Sequence, residues 1–285
     1  MSLPFVVERS YPTVITIRQS AADQTFEQWY LLRSDAHHDS FHCDQALEKK
    51  HLEEAKAKNA GILDFGDVFD CMGGRYDKRA DPKTIRPELR QGDYFDALVG
   101  YLAKDYEPYA ENWVLLSPGN HETSVKKHAE TDLVTRLADR LRQKGSPVLV
   151  GSYAGWVRFM FTTYTNTRQT IRLRYTHGYG GGGPVTRDMI QAANRQLVYT
   201  DADIMVSGHT HDCYSVPIRR EALLESGRPV MKDIEVLKTG SYKNDYEGGE
   251  GWSVERGHAP KTLGAQWLRF YCENKRIVFE TRRAR

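Results

Sequence analysis

Cysteine is scarce in this 285-residue chain: Cys43, Cys71, Cys213 and Cys272 are widely spaced, with no C-x-x-C pair. That excludes a disulfide framework and a zinc ribbon, and makes a reducing cytoplasm the simplest setting. Long apolar runs are missing too. No stretch approaches the ~20 apolar residues of a membrane span, and Met1 to Phe5 lack the basic and apolar segments of an export signal. The chain therefore reads as soluble, unexported and without a membrane partner. Charge of one sign is not in excess: the net charge of +2 excludes a general polyanion binder, so any nucleic-acid affinity must come from a local patch. No internal repeat or low-complexity tract is visible beyond the glycines at 180 to 183. What is present is ordinary, with 40% hydrophobic and 27% charged residues, and the length permits one large α/β domain or two small ones.

Short apolar runs alternate with helical stripes in the first half. Val14 to Arg18 reads as a first strand, and the run Trp29 to Leu32 as a second that stops at Ser34-Asp35. Asp44 can cap the next helix, with Leu47, Leu52 and Ala55 on its apolar face, and Gly61 closes it before a strand from Ile62 to Phe65. Tyr94, Phe95, Leu98, Tyr101 and Leu102 form a helical stripe ahead of the strand Trp113 to Leu116. A helix at about 132–144 then leads into a β-rich half. Its expected strands lie at 148–150, 157–163, 171–175, 204–206, 234–238, 265–272 and 276–280, interrupted by a helix at 186–198. The motifs described next spread across both halves, which favours a single domain over residues 1–285 with two sheets.

Five motifs follow one another in order: Asp35-Ala36-His37, Gly66-Asp67-Val68-Phe69-Asp70, Gly119-Asn120-His121-Glu122, Thr176-His177-Gly178 and Gly208-His209-Thr210-His211. Each alone is weak, but the ordered set supplies enough oxygen and imidazole ligands for two adjacent metal ions. Three of the motifs end strands, where open parallel sheets gather their ligand sites. Asp35 and His37, two residues apart on extended backbone, share a face and can grip one ion, and His209 with His211 repeats the device. Asp67 is a carboxylate able to bridge two ions roughly 3.5–4 Å apart, and Asn120 adds a neutral oxygen. Two divalent cations held by only two carboxylates leave an excess positive charge that draws an anionic ester, and they acidify water into a hydroxide nucleophile. His121 is placed to protonate a leaving alkoxide, with Asp70 to orient its ring and raise its pKa.

This ordered pattern resembles the calcineurin-like metallophosphoesterase superfamily: D-x-H, G-D-x-x-D, G-N-H-[DE], a lone H and G-H-x-H. The resemblance spans Asp35 to His211. It implies an α/β fold of the metallo-dependent phosphatase type, a four-layer α/β/β/α sandwich of two mixed sheets flanked by helices. Carried over by position, one ion would be held by Asp35, His37, Asp67 and His211, and the second by Asp67, Asn120, His177 and His209. His121 would be the acid, paired with Asp70. Manganese is the expected ion, with iron and zinc also suited to the mixed ligands. The serine/threonine protein phosphatases carry an arginine after the second Asp, whereas here Asp70 is followed by Cys71 and Met72, which argues against a phosphoprotein substrate. The expectation is a phosphodiesterase or nuclease acting on DNA, RNA or nucleotides. The alternatives are a small-molecule phosphomonoesterase and a non-catalytic scaffold of the same fold. Sequence leaves the oligomeric state open.

Other residues near the motifs carry less. His38, His42 and Asp39 crowd the first motif, yet side chains alternate along extended backbone, so His38 reads as facing away from the ions or into solvent. His51 and His128 fall in helical segments and read as surface residues. Cys71 and Cys213 read as small buried side chains. Gly180 to Gly183 form either a turn or a phosphate approach. The segment at about 71–92 holds Arg75, Lys78, Arg79, Lys83, Arg86 and Arg90, either a solvated loop or a surface that tracks a nucleic-acid backbone. A Gly-rich stretch at about 242–261, with Tyr246 and Trp252, reads either as an aromatic flap that stacks a base over the metals, the reading slightly favoured by its length, or as a long connection between strands.

Overall fold

The computed structural model describes residues 3–73, 84–90, 92–181, 188–190, 198–199, 201–246, 252–255 (backbone alone at 252–253), 257 and 259–285. Four consecutive parallel strands form the frame. They are β3 (Glu27–Arg33), β4 (Gly61–Asp64), β5 (Trp113–Leu116) and β6 (Leu149–Val150). β4 and β5 are buried on both faces, which is why they read as unbroken apolar runs. Between them cross α1 (Gln45–Ala57), α2 (Tyr94–Tyr106), α3 (Asn120–Ala129) and α4 (Leu133–Arg142). Antiparallel β12 (Gln266–Glu273) and β13 (Arg276–Arg283) extend this sheet to six strands, in the order β13-β12-β3-β4-β5-β6.

The second sheet holds β1 (Phe5–Tyr11), β2 (Val14–Ala21), β7 (Ala154–Thr163), β8 (Arg168–Thr176), β9 (Ile204–Ser207), β10 (Cys213–Leu223) and β11 (Pro229–Thr239), ordered β1-β2-β7-β8-β9-β11-β10. It too is mixed, since β8, β9 and β11 run parallel while the outer hairpins are antiparallel. A short helix, α5 (Trp252–Glu255), precedes β12.

Strand alternation sorts the apolar side chains into two layers. Tyr30, Leu32, Leu63, Leu115 and Phe270 point at the other sheet and meet Ile17, Phe159, Leu173 and Val206, with the Phe159 and Phe270 rings 4.7 Å apart across the layer. Leu31, Ile62 and Leu116 point the opposite way, onto Leu52, Leu98, Leu102, Leu137 and Leu141 of the helices. Helices, sheet and sheet are thus stacked. The helix expected at 186–198 falls largely outside the described residues.

Three elements depart from the sequence reading. The first strand is β1, ahead of the expected start at Val14, and β10 was not foreseen. β1 buries only Phe5 and β10 buries nothing; both are sheet edges held by main-chain pairing, which leaves no hydrophobic run to read. α3 buries only Glu122 and Val125, so it has no apolar stripe. Gly61 opens β4, while α1 ends at Ala57 with Lys58 as its cap. Asp44 caps α1 as expected, accepting from Leu47 N at 2.9 Å. Among the described residues no helix is long and apolar enough to cross a membrane.

Candidate metal centre

All five motifs leave the carboxyl ends of strands: β3 delivers Asp35 and His37, β4 delivers Asp67 and Asp70, β5 delivers Asn120 and His121, β8 delivers His177, and β9 delivers His209 and His211. β3, β4 and β5 belong to one sheet and β8 and β9 to the other, so the site straddles both sheets at one end. Fitting that many donors into one pocket distorts the backbone. Asp35, His37, Asp67, His209 and His211 all adopt left-handed φ, between 45° and 71°. Non-glycine residues rarely do so, and clusters of such residues mark places where the surroundings force a functional geometry. The glycines of the motifs answer the same crowding: a Cβ on Gly119 would fall on Asp67 Oδ1, and one on Gly208 on Ser34 Oγ and Asp35 Oδ2.

The donors fall into two groups, Asp35 with His37 and His211, and Asp67 with His177 and His209, each with its ligating atoms within 4.8 Å of one another. In the first, His37 Nε2 lies 3.3 Å from His211 Nε2, and His211 Nε2 lies 3.5 Å from Asp35 Oδ1. In the second, Asn120 Oδ1 lies 3.0 Å from His177 Nε2 and 2.8 Å from His209 Nδ1, while Asp67 Oδ2 is 3.1 Å from His177 Nε2. Asp35 Oδ1 reaches toward the second group as well, 3.9 Å from His177 Nε2.

Main-chain contacts set which atoms face the pocket. His177 Nδ1 lies 3.0 Å from the Phe65 carbonyl and donates to it, which turns Nε2 toward Asn120 Oδ1 and Asp67 Oδ2. His37 Nδ1 lies 2.9 Å from the Asp70 carboxylate, and Nε2 faces His211. Asp35 Oδ1 is buried with no hydrogen-bond partner among the described residues. So many buried carboxylate, amide and imidazole atoms meeting at one place call for positive charge, from protons or from cations. Divalent cations fit this donor set of four imidazoles with the hard oxygens of Asp35, Asp67 and Asn120.

The field tells the same story. Burial resists ionisation of Asp35, yet His177 and His211 override it and hold the carboxyl below the usual carboxylate range. Asp67 is likewise held well below it, burial being overridden by His177 and His121. Burial should lower His177, but Asp67 and Asp35 push it up to about 10, so these carboxylates demand a positive charge nearby. Burial and the charge of His177 lower His209.

Several supporting residues were not assigned from sequence. Glu122 accepts from Asp67 N at 3.1 Å, Phe69 N at 2.9 Å and Gly119 N at 2.7 Å, riveting the second motif to the third. Asp39 does the same for Asp70 N at 2.6 Å and Cys71 N at 3.0 Å. A glutamate three residues into α3 was a legible capping signal, whereas Asp39 left none.

The Asp70 carboxylate meets His37 and, at 2.9 Å, Lys243 Nζ; His121 Nδ1 instead contacts the Asp70 main-chain carbonyl at 2.5 Å, with the carboxylate at 3.7 Å. The ring of His121 is thereby fixed with Nε2 toward the pocket, 3.9 Å from Asp67 Oδ2.

Two histidines differ from their sequence reading. His51 is fully buried, its Nδ1 2.9 Å from the Tyr242 hydroxyl, because α1 packs onto the segment before Lys243. His38 does face away from the ions, but into a buried network rather than solvent, between Glu48 at 2.6 Å and Asp105 at 2.9 Å. That network continues to Arg33, which pairs with Glu48 and Asp64 at 2.8 Å each and is ringed by Tyr106, Trp113 and Tyr242. Of the basic loop, Arg75, Lys78, Arg79 and Lys83 lie outside the described residues, as do Gly182, Gly183 and much of the flap.

No family model matches the chain, and none of the curated proteins does. Among solved structures it is similar to Vps29 complexed with zinc from Entamoeba histolytica, at 12% identity and a TM-score of 0.35 over 90% of this chain and 100% of that one. A predicted phosphoesterase from Streptococcus pneumoniae TIGR4 is similar at 12% identity and a TM-score of 0.34, covering 91% of each chain. Likenesses this shallow carry no weight for fold or chemistry, which rest on the geometry above.

Proposed function

We propose that this protein is a dinuclear metal-dependent phosphoester hydrolase that favours phosphodiesters, with nucleic acid or nucleotides as the substrate class. The observation that carries the reading is the convergence of metal-preferring side chains on two adjoining points: Asp35, His37 and His211 on one, and Asp67, Asn120, His177 and His209 on the other. Asp67 is proposed as the bridging carboxylate, and the position of Asp35 Oδ1, 3.5 Å from His211 Nε2 and 3.9 Å from His177 Nε2, supports two ions close together. Two divalent cations seated there would polarise the phosphoryl oxygens and lower the pKa of the attacking water.

The chain's own residues supply the rest. His121 Nδ1 lies against the Asp70 carbonyl and donates to it, so Nε2 is the nitrogen that can carry a proton to the leaving oxygen. Glu122 and Asp39 hold the motif loops in strained positions before substrate arrives. The apolar layer shared by the two sheets supports residues 1–285 as one domain, for which a four-layer α/β/β/α sandwich is proposed. A reducing cytoplasm is the proposed setting.

The test is metal analysis of purified protein followed by turnover of a substrate panel with manganese: DNA, RNA, cyclic nucleotides, a bis-aryl phosphate and aryl monoesters. Two ions per chain and faster diester than monoester turnover are expected. Monoester preference would move the assignment to a small-molecule phosphatase. Bound ions with no turnover of any ester would leave a binding platform.

A further inference from the structure

The segment after β11 brings to the site a cation that none of the five motifs contains. Its main chain is tied to the first motif: Ser241 Oγ donates to the Asp35 carbonyl at 2.8 Å, and Tyr242 N to the same carbonyl at 3.1 Å. One residue on, Lys243 forms a bridge with Cys43, and Asn244 N donates to His42 O at 2.8 Å. Lys243 therefore leaves a backbone fixed on both sides. Its Nζ lies 2.9 Å from Asp70 Oδ1, with 14% of the side chain exposed. Asp70 in turn forms a compact group with His37 and His121, their polar atoms within 4.8 Å of one another. The ammonium is thus one carboxylate away from a candidate metal ligand and from the candidate acid.

Ammonium groups are seldom buried to this extent without a use for the charge. Nζ has three N–H donors, and among the described residues Asp70 Oδ1 takes one of them. The Asp70 charge is already shared with His37. Meanwhile the motif carries no cation of its own after Asp70, where Cys71 and Met72 stand. We propose that Lys243 is an anion-binding residue of this site, held by Asp70 and donating to a non-bridging oxygen of the substrate phosphoryl group. The inference rests on the phosphoester reading above and adds to it the residue that takes up phosphoryl charge from outside the metal ligands.

The experiment measures inorganic phosphate binding to the manganese-loaded full chain by calorimetry, with manganese content determined in parallel. In Lys243→Gln, which keeps a donor for Asp70 but loses the charge, phosphate affinity should fall about tenfold, the effect of one charge-assisted hydrogen bond. Lys243→Arg should stay close to wild type, and so should Lys104→Met, a control for lost surface charge. Unchanged phosphate affinity in Lys243→Gln with full manganese overturns the inference and leaves the phosphoester reading standing. Manganese loss in Lys243→Gln overturns it as well, since the lysine would then serve only to hold Asp70 and His37. A wild type that binds manganese but neither phosphate nor any ester overturns both readings. A measurement on the wild type needs no variant to fold: phosphate should slow acetylation of Lys243 by acetic anhydride relative to Lys104, read by peptide mass spectrometry. Equal rates with and without phosphate would again remove the role.

Discussion

The Asp70 carboxylate lies 2.9 Å from His37 Nδ1, whereas His121 Nδ1 is met by the Asp70 main-chain carbonyl at 2.5 Å. One residue therefore fixes two histidines through different atoms, and the two contacts separate by mutation. Asp70→Asn keeps the carbonyl and removes the charge behind His37. Manganese affinity should drop about 10–100-fold, as for other partners that orient a ligating histidine. Manganese titration checks this; full affinity with slowed turnover alone would return the carboxylate to the service of His121.

Asp67→Asn should lose both activity and manganese, because the carboxylate faces His177 at 3.1 Å and receives His121 N at 2.9 Å through its other oxygen. Metal analysis against turnover decides it, and retained metal with full turnover would remove Asp67 from the centre.

His121→Ala should bind manganese normally and slow turnover by about 10²–10⁴ for poor leaving groups. Aryl esters with acidic leaving groups should be affected far less. Equal slowing across a leaving-group series would exclude a proton-donor role.

Arg33 is fully buried between Glu48 and Asp64. Arg33→Met strips both carboxylates of their cation and should cost about 3–5 kcal/mol in urea unfolding. A loss under about 1 kcal/mol would mean that the network relaxes by protonation, a course open to Asp64, whose burial raises it to about 6 against the pull of Arg33.

Burial, with Lys50 and Arg33 nearby, depresses His51 to about 4 from its ordinary 6.5. A group whose pKa is depressed on folding adds stability that is complete above the unfolded value and fades as pH falls toward the folded one. His51 therefore contributes a loss of stability as pH falls from 6.5 to 4, and His51→Gln should remove that contribution, making the fall over this window shallower than in the wild type even if it lowers stability overall. Urea midpoints across the range would show it, and an unchanged slope would refute the assignment.

Much of the frame was legible because β3, β4, β5 and β9 are covered on both faces and so appear as apolar runs, each ending where a motif begins. β1 and β10 were not, since an edge strand is specified by its neighbour's main chain rather than by its own side chains. His51 was misread for a related reason: helical spacing separates faces, but what packs on a face comes from Tyr242, 191 residues away.

The order of the motifs and the kind of atom each offers follow from sequence alone, because aspartate, asparagine and histidine bring their ligand chemistry wherever they stand. Which nitrogen of each ring faces the pocket was decided only by the tertiary structure. His177 carries its proton on Nδ1 because the Phe65 carbonyl, 112 residues earlier, accepts it, and Lys243 reaches Asp70 from 173 residues away. Such contacts have no local signal: they exist only once two sheets have packed and brought distant strand ends to the same place.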